Sequence, residues 1–168
     1  VTDKIVAIPS MYIWKMMNMG RVDIKGADVN INAEIPLQNK MSLLMNTAYS
    51  YQHAVDVTDP AEKNYKDQIP YTPRHSGSAS VTWMNPWANI SYSVVASDKR
   101  YALPQNIKSN QIDSYMEHSL SANKSFKWDR CQLRIQGEIL NLLNKNYDII
   151  QYYPMPGRSW RLSVSIIY

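Results

Sequence analysis

The chain has 168 residues, a net charge of +4 and a pI near 9.1, with 12 Tyr and 5 Trp against 1 Phe. That length suits one ordinary domain, and the scattered Lys and Arg argue against nucleic acid as a partner. No run approaches the ~18 apolar residues that a transmembrane helix needs, so a helical span is excluded.

The chain opens at Val1 with no start methionine and no signal peptide, and is expected to be a piece of a longer protein. Residues 2–8 form a short strand candidate ended by Pro9. Residues 10–20 carry Tyr12, Trp14 and four methionines between Pro9 and Gly20. An amphipathic helix is conceivable there, but the brackets favour a loop with an aromatic rim. Residues 21–35 read as a strand, with Ala27, Val29, Ile31 and Ala33 on one face and Asp28, Asn30, Asn32 and Glu34 on the other. A water-lined interior explains that polar row more simply than a carboxylate pair. After a turn at 36–40, residues 41–51 form a third strand whose pattern Leu44 interrupts. Residues 52–74 are long, charged and proline-bearing, and their acids show no calcium-ligand spacing.

Residues 75–83 alternate most cleanly: Gly77, Ala79, Val81 and Trp83 oppose Ser76, Ser78, Ser80 and Thr82. A turn at 84–87 leads to a fifth strand at 88–97, then a polar loop at 98–113 containing Tyr101. Residues 114–125 form a sixth strand, with His118 on its apolar side and Glu117 on its polar side. A turn at 126–130 and a seventh strand at 131–143 follow, then a loop at 144–158 with Tyr147, Tyr152 and Tyr153. Residues 159–168 close the chain with Trp160, Leu162, Val164, Ile166 and Tyr168 on one face. The single cysteine, Cys131, can form no internal disulfide, belongs to no metal-type spacing, and reads as an apolar filler.

Short turns at 36–40, 84–87 and 126–130 thus alternate with long loops at 9–20, 52–74, 98–113 and 144–158. Bacterial outer-membrane barrels show this alternation, with short periplasmic turns and long outer loops. A mean hydropathy of −0.41 does not oppose it, because only alternate residues of barrel strands meet lipid. A soluble up-and-down barrel inverts the burial and shares the pattern. The Ser, Asn and Gln of the polar rows, aromatics near strand ends and the loop lengths favour lipid outside. The expected fold is all-β: an antiparallel up-and-down transmembrane β-barrel portion of about eight strands, with residues 1–168 as one barrel segment. Its open edges, expected at 2–8 and 159–168, would pair with other strands.

The stretch from Glu138 to Tyr147, then Pro156-Gly-Arg158, then a strand ending on an aromatic, resembles the C-terminal signature of TonB-dependent outer-membrane receptors. Asn141, Leu143, Tyr147, Pro156, Gly157, Arg158 and Tyr168 carry the resemblance; Leu143 and Asn144 stand where the family usually has Phe and Asp. The stretch from Asn18 to Asp28, Tyr49-Ser-Tyr51 and Pro70-Tyr-Thr-Pro-Arg74 are also similar to the family's. Spacing and loop lengths look most like cobalamin receptors. The resemblance implies a barrel of about 22 strands with an N-terminal plug, this chain supplying the last eight. It implies an outer-membrane location, a C-terminus on the periplasmic side, TonB as partner of the intact receptor, and uptake of a scarce large nutrient. That nutrient would be cobalamin, or alternatively an iron siderophore.

Ligand contacts are then expected from the outer loops, at Tyr12, Trp14, Tyr101, Tyr152 and Tyr153, because aromatic faces stack on corrins and catecholates. No metal site and no cofactor are expected. A reading of a different class is a soluble lipocalin-like ligand-binding β-barrel. An outer-membrane hydrolase would need a Ser/His/acid set, and His53, His75 and His118 have no such partner at a recognisable spacing.

Overall fold

The computed structural model describes residues 2–9, 13–128 and 131–167. Twelve strands follow in order: β1 (Thr2–Pro9), β2 (Trp14–Pro36), β3 (Ser42–Asp56), β4 (His75–Met84), β5 (Asn89–Ser97), β6 (Arg100–Tyr101), β7 (Gln111–Ile112), β8 (Tyr115–Trp128), β9 (Cys131–Leu140), β10 (Asp148–Ile150), β11 (Tyr153–Pro154) and β12 (Ser159–Ile167). Eight of them make one antiparallel sheet in the order β1-β2-β3-β4-β5-β8-β9-β12. The other four pair as two-stranded ribbons inside the long loops, β6 with β7 and β10 with β11.

Register explains why the alternation in each strand matters. A slip of one residue would turn every side chain of a strand to the other face. The ladder instead lines up one apolar row across seven strands: Leu162, Gly137, Ala122, Ile90, Trp83, Leu43 and Ile35. The neighbouring row reads Arg161, Glu138, Ser121, Ser91, Thr82, Leu44 and Glu34, polar except for Leu44. On the apolar face, Trp160 and Leu162 are 74% and 75% exposed, so no protein layer covers them. Lys124 falls on this face too. Its Nζ reaches the Pro86 carbonyl in the short turn and lies over the Phe126 ring, keeping the charge at the sheet's end.

The eight strands do not close on themselves. Among the described residues β12 pairs only with β9, whereas a closed soluble eight-stranded barrel would need β12 to pair at the far edge. The core also sits away from the sheet's middle. Val22, Ala54 and Ile69 pack together at the long-loop end, and Val55, Ala102 and Ile112 are also buried.

Several sequence expectations change. Residues 14–20 are not a loop: β2 begins at Trp14 and pairs with β1 as far as Arg21, so strand pairing takes up most of the expected first long loop. Trp14, expected on a loop, is therefore a strand residue. Only the part of β2 from Val22 onward pairs with β3. Its edge away from β3 is unpaired there among the described residues, so the open edge is longer than residues 2–8. β3 runs on to Asp56, because the incoming 67–74 segment continues its hydrogen bonding; Gln52 N–H, for example, donates to the Arg74 carbonyl at 2.9 Å. β8 runs through Trp128, so Phe126 lies in a strand rather than in a turn. β9 stops at Leu140, where Asn141 adopts a positive φ of 48°.

Candidate functional site

The three long loops after β3, β5 and β9 interlock into one cap. Tyr71 N–H donates to the Tyr101 carbonyl at 2.8 Å, and Asn106 N–H donates to Asp67 Oδ2 at 3.0 Å. Gln151 Nε2 donates to the Ser109 carbonyl at 3.1 Å. Arg100 joins the last two loops: its Nη2 donates to the carbonyls of Asp148 and Ile149, each at 2.7 Å. This guanidinium is only 4% exposed, and no carboxylate forms an ion pair with it among the described residues. Burial lowers its pKa, while Tyr115, Tyr71 and Asp148 pull the other way.

Under the cap, Arg100 lies 5.5 Å over the Tyr115 ring, and Tyr115 stacks on Tyr147 at 4.4 Å and 11°. The Tyr147 hydroxyl donates to the Glu117 carboxylate. Burial and then that carboxylate push the Tyr147 phenol far above its ordinary range. Tyr71 is held at a positive φ of 56°, a costly conformation for a non-glycine residue. Among the described residues Arg100 Nη1 is buried without a hydrogen-bond partner, and burial raises the Tyr71 pKa against the opposing pull of the Gln151 backbone and Arg100. Below this cluster the polar face is a shallow trough lined by Asn30, Asn46, Ser78, Ser80 and Ser93. Asp28 accepts a 2.6 Å bond from Ser50 in the same row. Aromatic faces, one buried cation and a hydroxyl-and-amide wall can hold a large polar ligand by stacking and hydrogen bonding.

A second construction closes the last loop. Asn141, 2% exposed, donates through Nδ2 to the carbonyls of Lys145 (2.8 Å) and Pro156 (3.1 Å), and its Oδ1 accepts from Lys145 N–H at 2.9 Å. Asn144, also at positive φ, accepts from Arg158 N–H at 2.9 Å. Arg158 Nε donates to the Leu142 carbonyl at 3.0 Å. Gly157 leaves room for that arrangement, since a Cβ there would stand 2.8 Å from Asn144 Oδ1. The result is a clip that joins the end of β9 to the start of β12.

Residues 1–142 match the family described as TonB dependent receptor-like, beta-barrel. The chain belongs to the TonB-dependent receptor β-barrel family. Among solved structures it is similar to BauA, the ferric preacinetobactin receptor from Acinetobacter baumannii, at 16% identity and a TM-score of 0.74 over 97% of this chain and 25% of that one. It is also similar to the siderophore receptor PiuA from Acinetobacter baumannii, at 21% identity and a TM-score of 0.68 over 85% of this chain and 21% of that one. The chain thus spans a quarter or less of the receptors whose barrel it resembles. No curated protein matches the sequence.

For a TonB-dependent receptor barrel, the signature residues now have a physical role: Asn141, Pro156, Gly157 and Arg158 build the clip, and Tyr147 anchors the loop to Glu117. Leu143 is 53% exposed at the clip's outer side. Tyr168 and Tyr12 lie outside the described residues, and the Trp14 side chain is likewise not described. Tyr101 sits in the β6–β7 ribbon, where its carbonyl receives Tyr71. Tyr152 and Tyr153 project from the β10–β11 ribbon, 69% and 51% exposed, with Tyr152 at a φ of 67°. The structure therefore brings Tyr101 into the cap and places Tyr152 and Tyr153 on its surface. Sequence reasoning missed Arg100, Tyr71 and Tyr115. Arg100 stands beside Tyr101 in the sequence, and Tyr115 shares the polar row with Glu117; that periodicity was the available signal.

Proposed function

We propose that the chain is the C-terminal barrel portion of an outer-membrane, TonB-coupled transporter that takes up a ferric siderophore. Its long-loop end faces outward and its C-terminus lies on the periplasmic side. The observation that carries this reading is the cap of interlocked aromatic loops over a concave polar face. Such a surface suits a chelate with flat aromatic or amide groups and many oxygen acceptors. Both structurally similar receptors are described by their siderophores or as siderophore receptors, which supports iron chelates over cobalamin. The remaining strands, the plug and TonB are partners of the intact receptor in this reading.

Tyr101, Tyr152 and Tyr153 are the proposed stacking residues from the described loops, with Tyr12 and Trp14 completing the set. The test is fluorescence-quenching titration of the intact receptor with a ferric catecholate, a ferric hydroxamate and cyanocobalamin. One of the iron chelates should bind, and the double substitution Tyr152→Ala, Tyr153→Ala should weaken it by about ten-fold or more, the scale of one or two lost aromatic contacts. Saturable binding of cyanocobalamin alone would refute the siderophore reading and restore the cobalamin one.

A further inference from the structure

The apolar face carries a groove that cargo capture does not use. Its floor is Gly77 and Ala96, directly paired across β4 and β5. One wall is Tyr49 with His75; the other is Met116 with His118. Leu143 and Lys145 of the last loop close it at the long-loop end, and its volume is about 740 Å³. A Cβ at Gly77 would stand 2.9 Å from the Ala48 carbonyl, so crowding keeps the floor bare. Both walls are braced: the Tyr49 hydroxyl and His75 Nδ1 are hydrogen-bonded at 2.7 Å, and Tyr92 and His118 Nδ1 are likewise bonded.

Three sheet spacings of about 4.8 Å put about 14 Å between the β3 and β8 backbones, and the Tyr49, His75, Met116 and His118 side chains standing on either side narrow that span to a trough that takes an acyl chain. The side chains of its floor and walls belong to the apolar rows that meet the bilayer, so its occupant is a bilayer component. Its mouth is basic. Lys145 is exposed, and Arg158 sits beside Leu143 through its bond to the Leu142 carbonyl. Asp98 also lines the mouth, but its Oδ1 is occupied by the backbone N–H of Lys99 at 2.7 Å.

We propose that this groove binds one phosphorylated lipid of the leaflet nearest the long loops, its acyl chain over Gly77 and Ala96 and its phosphate against Lys145 and Arg158. The proposal rests on the membrane reading above. It can be tested by native mass spectrometry of the delipidated intact receptor in dodecyl maltoside, titrated with bisphosphorylated lipid A. Filling the trough with Ala96→Phe or Met116→Trp, or reversing the mouth with Lys145→Glu, should each weaken the tightest lipid by about ten-fold or more, the loss expected when a few methylenes or one charge contact leave the site. Leu162→Phe, on the same face but far from the groove, should leave it unchanged. Equal affinity in all variants would overturn the proposal. So would a loss in Lys145→Glu with none in either filling variant, since that is adsorption to surface charge. A receptor that behaves as a folded barrel in detergent yet holds no lipid overturns this site alone. One that stays soluble and monodisperse without detergent overturns the membrane reading and this site together.

Discussion

Replacing Asn141 by alanine tests whether the signature is a clip. The side chain makes three hydrogen bonds from a site that is 2% exposed, at a φ of 48°. At about 1 kcal/mol net per bond, three bonds amount to about 3 kcal/mol. Alanine held in the left-handed region adds about 1 kcal/mol. Asn141→Ala should thus loosen the clip by about 4 kcal/mol, whereas Asn141→Gly, which relieves the backbone, should cost about 3 kcal/mol. Asn141→Asp keeps the acceptor for Lys145 N–H but turns a buried carboxylate oxygen toward the Lys145 and Pro156 carbonyls, so at neutral pH it should cost more than glycine. Hydrogen exchange followed by mass spectrometry on the assembled barrel reads this locally. Exchange at the Lys145 and Arg158 amides should quicken by between about two and three decades in the alanine variant, at 1.4 kcal/mol per decade. Exchange within about three-fold of wild type would show that the loop's own packing, not Asn141, sets its opening, and the clip argument would fail.

Other outcomes follow from the same geometry. Arg100→Met should raise exchange in the 98–113 and 148–151 segments together, because one guanidinium holds both; loosening of only one loop would contradict the shared anchor. Burial and the Glu117 carboxylate raise the folded-state pKa of Tyr147 above the ordinary phenol value of about 10, so its stabilising share is full below about pH 10 and is lost as pH rises through the folded pKa. Ultraviolet titration should show Tyr71 and Tyr147 ionising late, the later of the two absent in Tyr147→Phe, and exchange of the last loop should rise in step with that one. Leu162→Arg, at mid-strand on the apolar face, should cost about 2–4 kcal/mol in vesicle-insertion equilibrium, while Ser163→Arg on the polar face should be near neutral. Equal costs for the two would mean that lipid does not meet the Leu162 row.

The sheet was legible because 76–83 alternates without conflict and 159–168 does so except at Ile167, and register then forces neighbouring rows to agree. The failure at 14–20 has a physical cause. β1 pairs with β2 over 14–21, beyond the end of β3, so no third strand sets a row there, and the sequence of both mixes polar and apolar residues without period. Long-range closure was equally invisible: Asn141 meets Pro156 across fifteen residues, and no local pattern announces it. The resemblance over Glu138–Tyr147 and Pro156–Arg158 found those residues, but only the fold gave them work. Arg100 and Tyr71 escaped because a charge and a phenol in a polar loop look like solvated surface until three loops fold over them.

The placement of the buried cluster around Val22, Ala54 and Ile69 has a thermodynamic corollary. Water drives that cluster together, and its contribution carries the heat-capacity signature of apolar burial. The wide strand faces below shed no comparable water within the protein itself; their cohesion is lent by whatever hydrocarbon surrounds them. One chain is therefore built from two materials with different responses to the medium. Shortening a detergent's alkyl chain should soften the sheet and leave the cap's melting in place, whereas urea confined to the aqueous side should unravel the cap while the sheet persists. The capped end of the chain can then be reshaped, loop by loop, without renegotiating the wall that carries it.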